Sequence, residues 1–216
     1  RMQQVIESVT KDINEFRLSQ AGETLRQFTW GDFADWYLEI KKVEGDSNDI
    51  ARSILAGLLK LWHPFTPYVT EVLWKEMQKN SLLMIEEWPK SDDSLRDRNV
   101  EGQFAHIQDV IGTIRRARAA YHVPPTAKLE VVLVSTQTAL SDAAAIISRL
   151  AGCSLCTCVV KANRPEGSLA LTAGKTVIYL GVRGIVDVQK ERVRIEEDVK
   201  KQMEYVSGVE KRLANT

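Results

Sequence analysis

Apolar residues recur at helical spacing through the first ninety positions. In QQVIESVTKDINEFRLSQAGETLRQF, Val5, Val9, Ile13, Phe16, Ala21, Leu25 and Phe28 follow one helical period. That spacing predicts one helix, weakened in its middle by Gly22. A second helix is expected to begin near Thr29, because Thr29 and Asp32 stand at capping-box spacing. Phe33, Trp36, Tyr37 and Ile40 then share a face expected to be buried, and EGDSN closes the element. Ser47 is placed to cap a third helix, NDIARSILAGLLKLW, which is apolar on more than one side. After HPFTP, Thr66 is the expected N-cap of a fourth helix, with Pro67 in its first position. Its sequence YVTEVLWKEMQ is expected to turn Val69, Val72, Leu73 and Met77 inward. Four helices with short breaks predict a helical bundle over residues 1–90.

A charged stretch, EEWPKSDDSLRDRN, marks a boundary between about residues 86 and 99. Residues 91–186 read differently. EGQFAHIQDVIGTIRRARAAYH is helical, with Phe104, Ile107, Ile111, Ile114 and Tyr121 on or near one face. KLEVVLV, LCTCVV, SLALT and TVIYLG have strand character, and TALSDAAAIISRLAG between the first two returns to helical spacing. This order predicts a small α+β module whose strand order is not readable. Residues 187–216 place Val188, Ile195, Val199, Gln202, Val206, Val209 and Leu213 at heptad intervals, with Arg192 in the skipped slot. Such a seam needs a partner helix.

Lys plus Arg equals Asp plus Glu at 29 each, which argues against a basic coat for non-specific nucleic-acid binding. The balance is uneven, with 11 basic and 14 acidic side chains in 1–90 against 11 and 8 in 91–186. A polyanion contact is therefore expected first in the middle segment. Cys153, Cys156 and Cys158 are the only cysteines, and the odd count fits a reducing, cytoplasmic setting. No run is long and apolar enough to span a membrane. The absence of an initiator Met suggests a piece of something longer.

Catalytic signatures are scarce. AGKT at 173–176 lacks the preceding glycine of a phosphate loop. CSLC has ligand-like spacing but no second pair, so no metal is expected, and Cys156 and Cys158 are expected to share an inward strand face. His63 is expected to bond free carbonyls at a helix end. IRRARAAYHVPP is the best candidate for chemistry. Arg115, Arg116 and Arg118, ending at His122, offer several guanidinium groups for phosphate. Lys41 and Lys42 form a second, weaker patch.

FTWGDFADWYLEIKK and LLKLWHPFTPYVTEVLW together resemble the anticodon-binding domain of the valyl-tRNA synthetase family. The resemblance rests on Trp30, Phe33, Asp35, Trp36, Tyr37, Leu38, Glu39 and Lys42, then His63, Pro64, Phe65, Pro67, Thr70, Glu71 and Trp74. IRRARA and the Lys211, Leu213, Ala214, Asn215 ending extend it over essentially the whole chain. Ala34, Trp62 and Thr66 depart from the residues common in that family. The resemblance implies a mainly α fold: an antiparallel bundle of the class I anticodon-binding type, a small α+β module, and the first helix of a coiled-coil arm. It implies docking of the anticodon stem-loop of a valine tRNA, with Trp30 and Lys42 meeting a base or a phosphate. The parent would join valine to tRNA using ATP and Mg; this piece lacks the catalytic and editing signatures and is expected to be non-catalytic alone, without a cofactor. Implied partners are the tRNA and the remaining domains of the synthetase, with a monomer as the expected state. The rival reading is a helical interaction module without tRNA affinity, dimerising through its heptad tail.

Overall fold

The computed structural model describes residues 1–45, 48–77, 81–184, 196–197 and 199–207. The expected cap Ser47 and the heptad positions Val188, Arg192, Ile195, Val209 and Leu213 lie outside the described residues. Contacts divide the chain into two units, Arg1–Ala105 and His106–Thr216.

The first unit is helical. The single long helix expected at the start is two, α1 (Met2–Asn14) and α2 (Leu18–Gln27). Gly22 is not the weak point; the break comes at residues 15–17. There the Phe16 N–H donates to the Ile13 carbonyl at 3.0 Å and the Arg17 N–H to the Asp12 carbonyl at 2.7 Å. This is a Schellman end with Phe16 in its left-handed position, at φ +59. Phe16 therefore leaves the apolar face on which its spacing placed it and is 89% exposed. The Arg17 guanidinium locks the turn by donating to the buried Asp12 carboxylate and pairing with Glu15.

From Phe28 the helix does not restart but widens into a π-helix, Phe28–Leu38, which passes into α3 (Glu39–Glu44). Thr29 is thus no N-cap. Its hydroxyl accepts from the Trp62 indole N–H at 3.0 Å, and Asp32 pairs with Arg1. The widening has a packing cause. Residues five apart in an α-helix point about 140° away from each other at 3.6 residues per turn. Phe28 and Phe33 are both buried in one cluster, and i→i+5 bonding brings them onto a common side. Tyr37 stacks on Phe33 at 5.7 Å between ring centres, and Trp36 meets Phe104 edge-on at 6.2 Å. Of the four residues expected on the buried face, only Phe33 is fully covered; Trp36, Tyr37 and Ile40 are half-buried. Gly45, left-handed at φ +68, ends α3.

Next come α4 (Asn48–Trp62) and α5 (Pro67–Glu76). Leu58 and Leu61 of α4 join Val5, Ile6, Val9, Ala21, Leu25, Phe28 and Phe33 in the main apolar cluster of this unit. Pro67 opens α5 as expected, but the Thr66 side chain does not cap it; its hydroxyl reaches back to the Trp62 carbonyl at 3.4 Å. Of the four residues expected inward at α5, Met77 packs against the interior but the other three do not. Thr70 and Trp74 are buried, whereas Val69, Val72 and Leu73 are exposed. Trp74 packs with Leu59 and Leu83 in a second small cluster.

The charged stretch that follows is pinned to this unit. The Trp88 indole donates to Thr10 Oγ1 at 2.8 Å, Lys60 pairs with Glu86 at 3.1 Å and Arg96 with Glu7 at 2.7 Å. The division between units accordingly falls inside α6 (Arg98–Ala120) rather than in the stretch before it.

The second unit holds a four-stranded mixed sheet: β1 (Leu129–Val134), β2 (Cys153–Val159), β3 (Ser168–Ala173) and β4 (Thr176–Gly181), in the order β2-β1-β4-β3. A crossover through α7 (Thr138–Asp142) and α8 (Ala144–Ala151) makes β1 and β2 parallel, and β4 is antiparallel to both β1 and β3. Val110, Ile111 and Ile114 of α6, Ile147 of α8, and Leu129, Val131, Leu133, Ile178 and Leu180 of the sheet are all buried. Residues 196–197 and 199–207 are helical, with Val199, Met203 and Val206 exposed.

The turn at Phe16 yields a test. A side chain at positive φ costs about 1–2 kcal/mol relative to glycine's freedom there, partly offset by glycine's unfolded-state entropy. Phe16→Gly should raise stability by about 0.5–1 kcal/mol in urea unfolding, although it deletes an aromatic ring. A loss would show that the ring packs in solution.

Candidate nucleic-acid interface

The sequence candidates fall in both units. In the first, Trp30 stands on the π-helix, 57% exposed, with its ring edge-to-face with Trp62 at 6.3 Å. Trp62 is itself fixed by Thr29 and stacked edge-on with Phe65 at 6.0 Å. One side of the Trp30 ring is thus held by a ladder of aromatics, and the other meets solvent. Lys42, one helical turn past the end of the π-helix, pairs with Glu39, while Lys41 donates to Asn48. The Lys42 side chain is 68% exposed. Such a surface pair is worth about 0–1 kcal/mol, so it holds the Lys42 ammonium only weakly. Asp35 is exposed, and Glu39 engages Lys42.

The HPFTP turn is a support for this surface. The His63 backbone N–H meets the Lys60 carbonyl at the helix end at 3.4 Å, while its ring Nδ1 lies 2.8 Å from the hydroxyl of buried Thr70. The same hydroxyl lies 3.0 and 3.1 Å from the Thr66 and Pro67 carbonyls, so its one proton serves one of these neighbours. Glu71 accepts from the Leu83 backbone N–H at 3.0 Å, and the Trp74 indole donates to the Ser81 carbonyl at 3.1 Å. The Lys60 ammonium lies 5.6 Å from the centre of the Trp74 ring. Pro64 is exposed, and Phe65 packs beside Gly22.

In the second unit the arginine cluster does not form one outward fork. Arg118 donates to three backbone carbonyls: Gly152 at 3.2 Å, Pro124 at 3.1 Å and Ala127 at 2.9 Å. Arg115 donates to the Leu150 carbonyl at 2.9 Å. Both guanidinium groups thus serve the last carbonyls of α8, where a helix end leaves acceptors unpaired and favours positive charge. Arg116 faces solvent, 70% exposed, bonded to Thr113 and 3.6 Å from Asp109. His122 is the left-handed residue of a second Schellman end, at φ +51; its N–H bonds the Ala119 carbonyl and that of Val123 the Arg118 carbonyl. Local spacing signalled the cluster but not the distant carbonyls that it serves.

Cys153 and Cys156 are buried, and Cys158 points the same way through its register with Leu133. Burial pushes all three thiols up, Cys156 to about 12, so they are poor nucleophiles. Gly174 and Lys175 of AGKT form the tight turn between β3 and β4, with Gly174 at φ +54. Beside it, His106 Nε2 lies 2.8 Å from the Thr176 hydroxyl. Among the described residues no group of three or more His, Cys, Asp or Glu could hold a metal ion. No described helix is long and apolar enough to cross a membrane.

An aromatic ladder and exposed cations on one helical unit are features that nucleic-acid-binding surfaces use. Residues 1–133 match the family described as the anticodon-binding domain of tRNA ligase, and the chain belongs to that family. Along its whole length it is similar to valine–tRNA ligases: 32% identical to that of Carboxydothermus hydrogenoformans, 29% to that of Fusobacterium nucleatum and 24% to that of Thermotoga maritima. It covers 26%, 26% and 25% of those proteins, so it spans about a quarter of their length.

The two exposed-looking arginines should separate in experiment. Arg118→Ala leaves three carbonyls without their charged donor and should cost about 1–3 kcal/mol in urea unfolding. Arg116→Ala should stay within about 0.5 kcal/mol of the parent. Equal effects would contradict the assignment of Arg118 to the α8 end.

Proposed function

We propose that this chain is the tRNA-recognition portion of a valine–tRNA ligase, docking the anticodon stem-loop so that the other end of the tRNA meets a catalytic site elsewhere in the enzyme. The observation that carries this reading is the family match over residues 1–133 together with the aromatic ladder that holds Trp30 toward solvent. An exposed indole is a stacking platform for an unpaired base, and Lys42 stands on the same run of helix to meet the backbone. Within the arginine cluster, Arg116 stands exposed and is free to exchange its surface pair with Asp109 for a phosphate; Arg115, Arg118 and His122 shape the surface that it stands on. The first unit acts as a helical bundle and the second as an α+β module at the base of a coiled-coil arm. The chain's contribution to aminoacylation is positioning, not bond chemistry, and ATP and Mg act in the remainder of the ligase. The working state is a monomer in the cytoplasm.

The test is binding of the chain to valine tRNA and to the same tRNA with its anticodon replaced, across a salt series. Affinity for the native tRNA should exceed that for the replaced one at every salt concentration, with both falling as salt rises. Equal affinities would leave phosphate contact without anticodon reading. No binding to either, with concentration-dependent mass, would favour an interaction module working through Val199, Met203 and Val206.

A further inference from the structure

Helix α5 turns several apolar residues away from the core of the first unit. Tyr68 is 87% exposed, Val69 and Val72 60% each, and Leu73 44%. At about 100° per residue these four occupy one side of the helix, opposite Thr70 and Trp74. The helix cannot rotate to hide them. Thr70 is bonded to His63, Trp74 to the Ser81 carbonyl and Glu71 to the Leu83 N–H, so three bonds fix its azimuth. Contiguous exposed side chains of this size mark an interaction surface. Within α5, Lys75 is the only cation, so the surface lacks the charge that a phosphate backbone requires. The occupant is therefore protein.

We infer that the Tyr68–Val69–Val72–Leu73 face of α5 is the seat on which the remainder of the parent ligase packs. The inference rests on the proposed reading as a ligase portion. The occupant follows from length as well as chemistry: about three quarters of each relative is not represented in this chain, and a recognition domain must be held at a fixed angle to the catalytic site that it serves. An apolar face on a rotationally locked helix supplies that angle, where a flexible tether alone would not.

The experiment uses Val69→Glu with Val72→Glu, made both in this chain and in the full valine–tRNA ligase that contains it. In the chain, both positions are exposed and Glu suits a helix, so melting temperature and tRNA affinity should not change. In the full ligase, kcat/KM for aminoacylation should fall about tenfold to a hundredfold as the domain loses its orientation. Val69→Ala with Val72→Ala should give a smaller fall in the same direction. A ligase indifferent to both pairs would overturn the inference. So would a wild-type chain that dimerises and is made monomeric by the Glu pair, since the seat would then belong to a second copy. Failure of the wild-type chain to bind valine tRNA would instead overturn the anticodon reading, and the ligase arm would still report on the seat.

Discussion

The structure of the first unit turns on the joint burial of Phe28 and Phe33. Two aromatic rings five residues apart cannot enter one core from an α-helix, so the backbone widens to i→i+5 bonding. Burying each ring is worth about 1.5–3 kcal/mol, enough to carry the poorer geometry of the wider helix. The consequence reaches the surface. With Phe28 and Phe33 held inside, Trp30 is turned outward, and Trp62, bonded to Thr29, closes on its edge. The core requirement and the exposed platform are two sides of one helical segment, which ties the packing of this unit to what it presents.

Support for that segment comes from bonds that look unrelated to it. His63 and Thr70 hold the start of α5, while Trp74 and Glu71 tie down residues 81–83. Trp88 closes over Thr10. Each is a buried or half-buried polar group with a specific partner, and each would be costly to leave unpaired. The second unit uses the same device differently. Arg115 and Arg118 neutralise the carbonyl end of α8 and fix the Pro124–Ala127 turn that feeds β1. Cations that look available to a ligand in the sequence are here tied to the frame: Arg118 through three carbonyls and Arg115, although exposed, through one, while Arg116 bonds only near its own turn.

Legibility of the fold followed physical locality. α4, α6 and the four strands were readable because their apolar periods are satisfied by neighbours within this chain. The shared inward face of Cys156 and Cys158 followed from strand alternation and is observed. Phe16 misled because its spacing fits the core while its backbone is left-handed, and nothing short of a glycine announces that. The π-helix was invisible because its aromatic residues also fit an α-helical wheel approximately. Val69, Val72 and Leu73 misled for a different reason: an apolar stripe reports that a face is to be covered, not that its cover lies in the same chain. The site showed the same split. Trp30 and Lys42 are candidates through a resemblance in sequence and stand exposed, but the partners of Arg115 and Arg118 include carbonyls more than thirty residues away that local spacing does not signal.

The central claim is that the π-helix presents Trp30 as a base platform. The most direct measurement replaces tryptophan with 5-fluorotryptophan and follows the fluorine NMR signals while the anticodon stem-loop of valine tRNA is added, the Trp30 signal being assigned by Trp30→Phe. The account predicts a large shift of the Trp30 signal, with that of buried Trp74 unmoved. A Trp30 signal that stays in place while the stem-loop binds would contradict it.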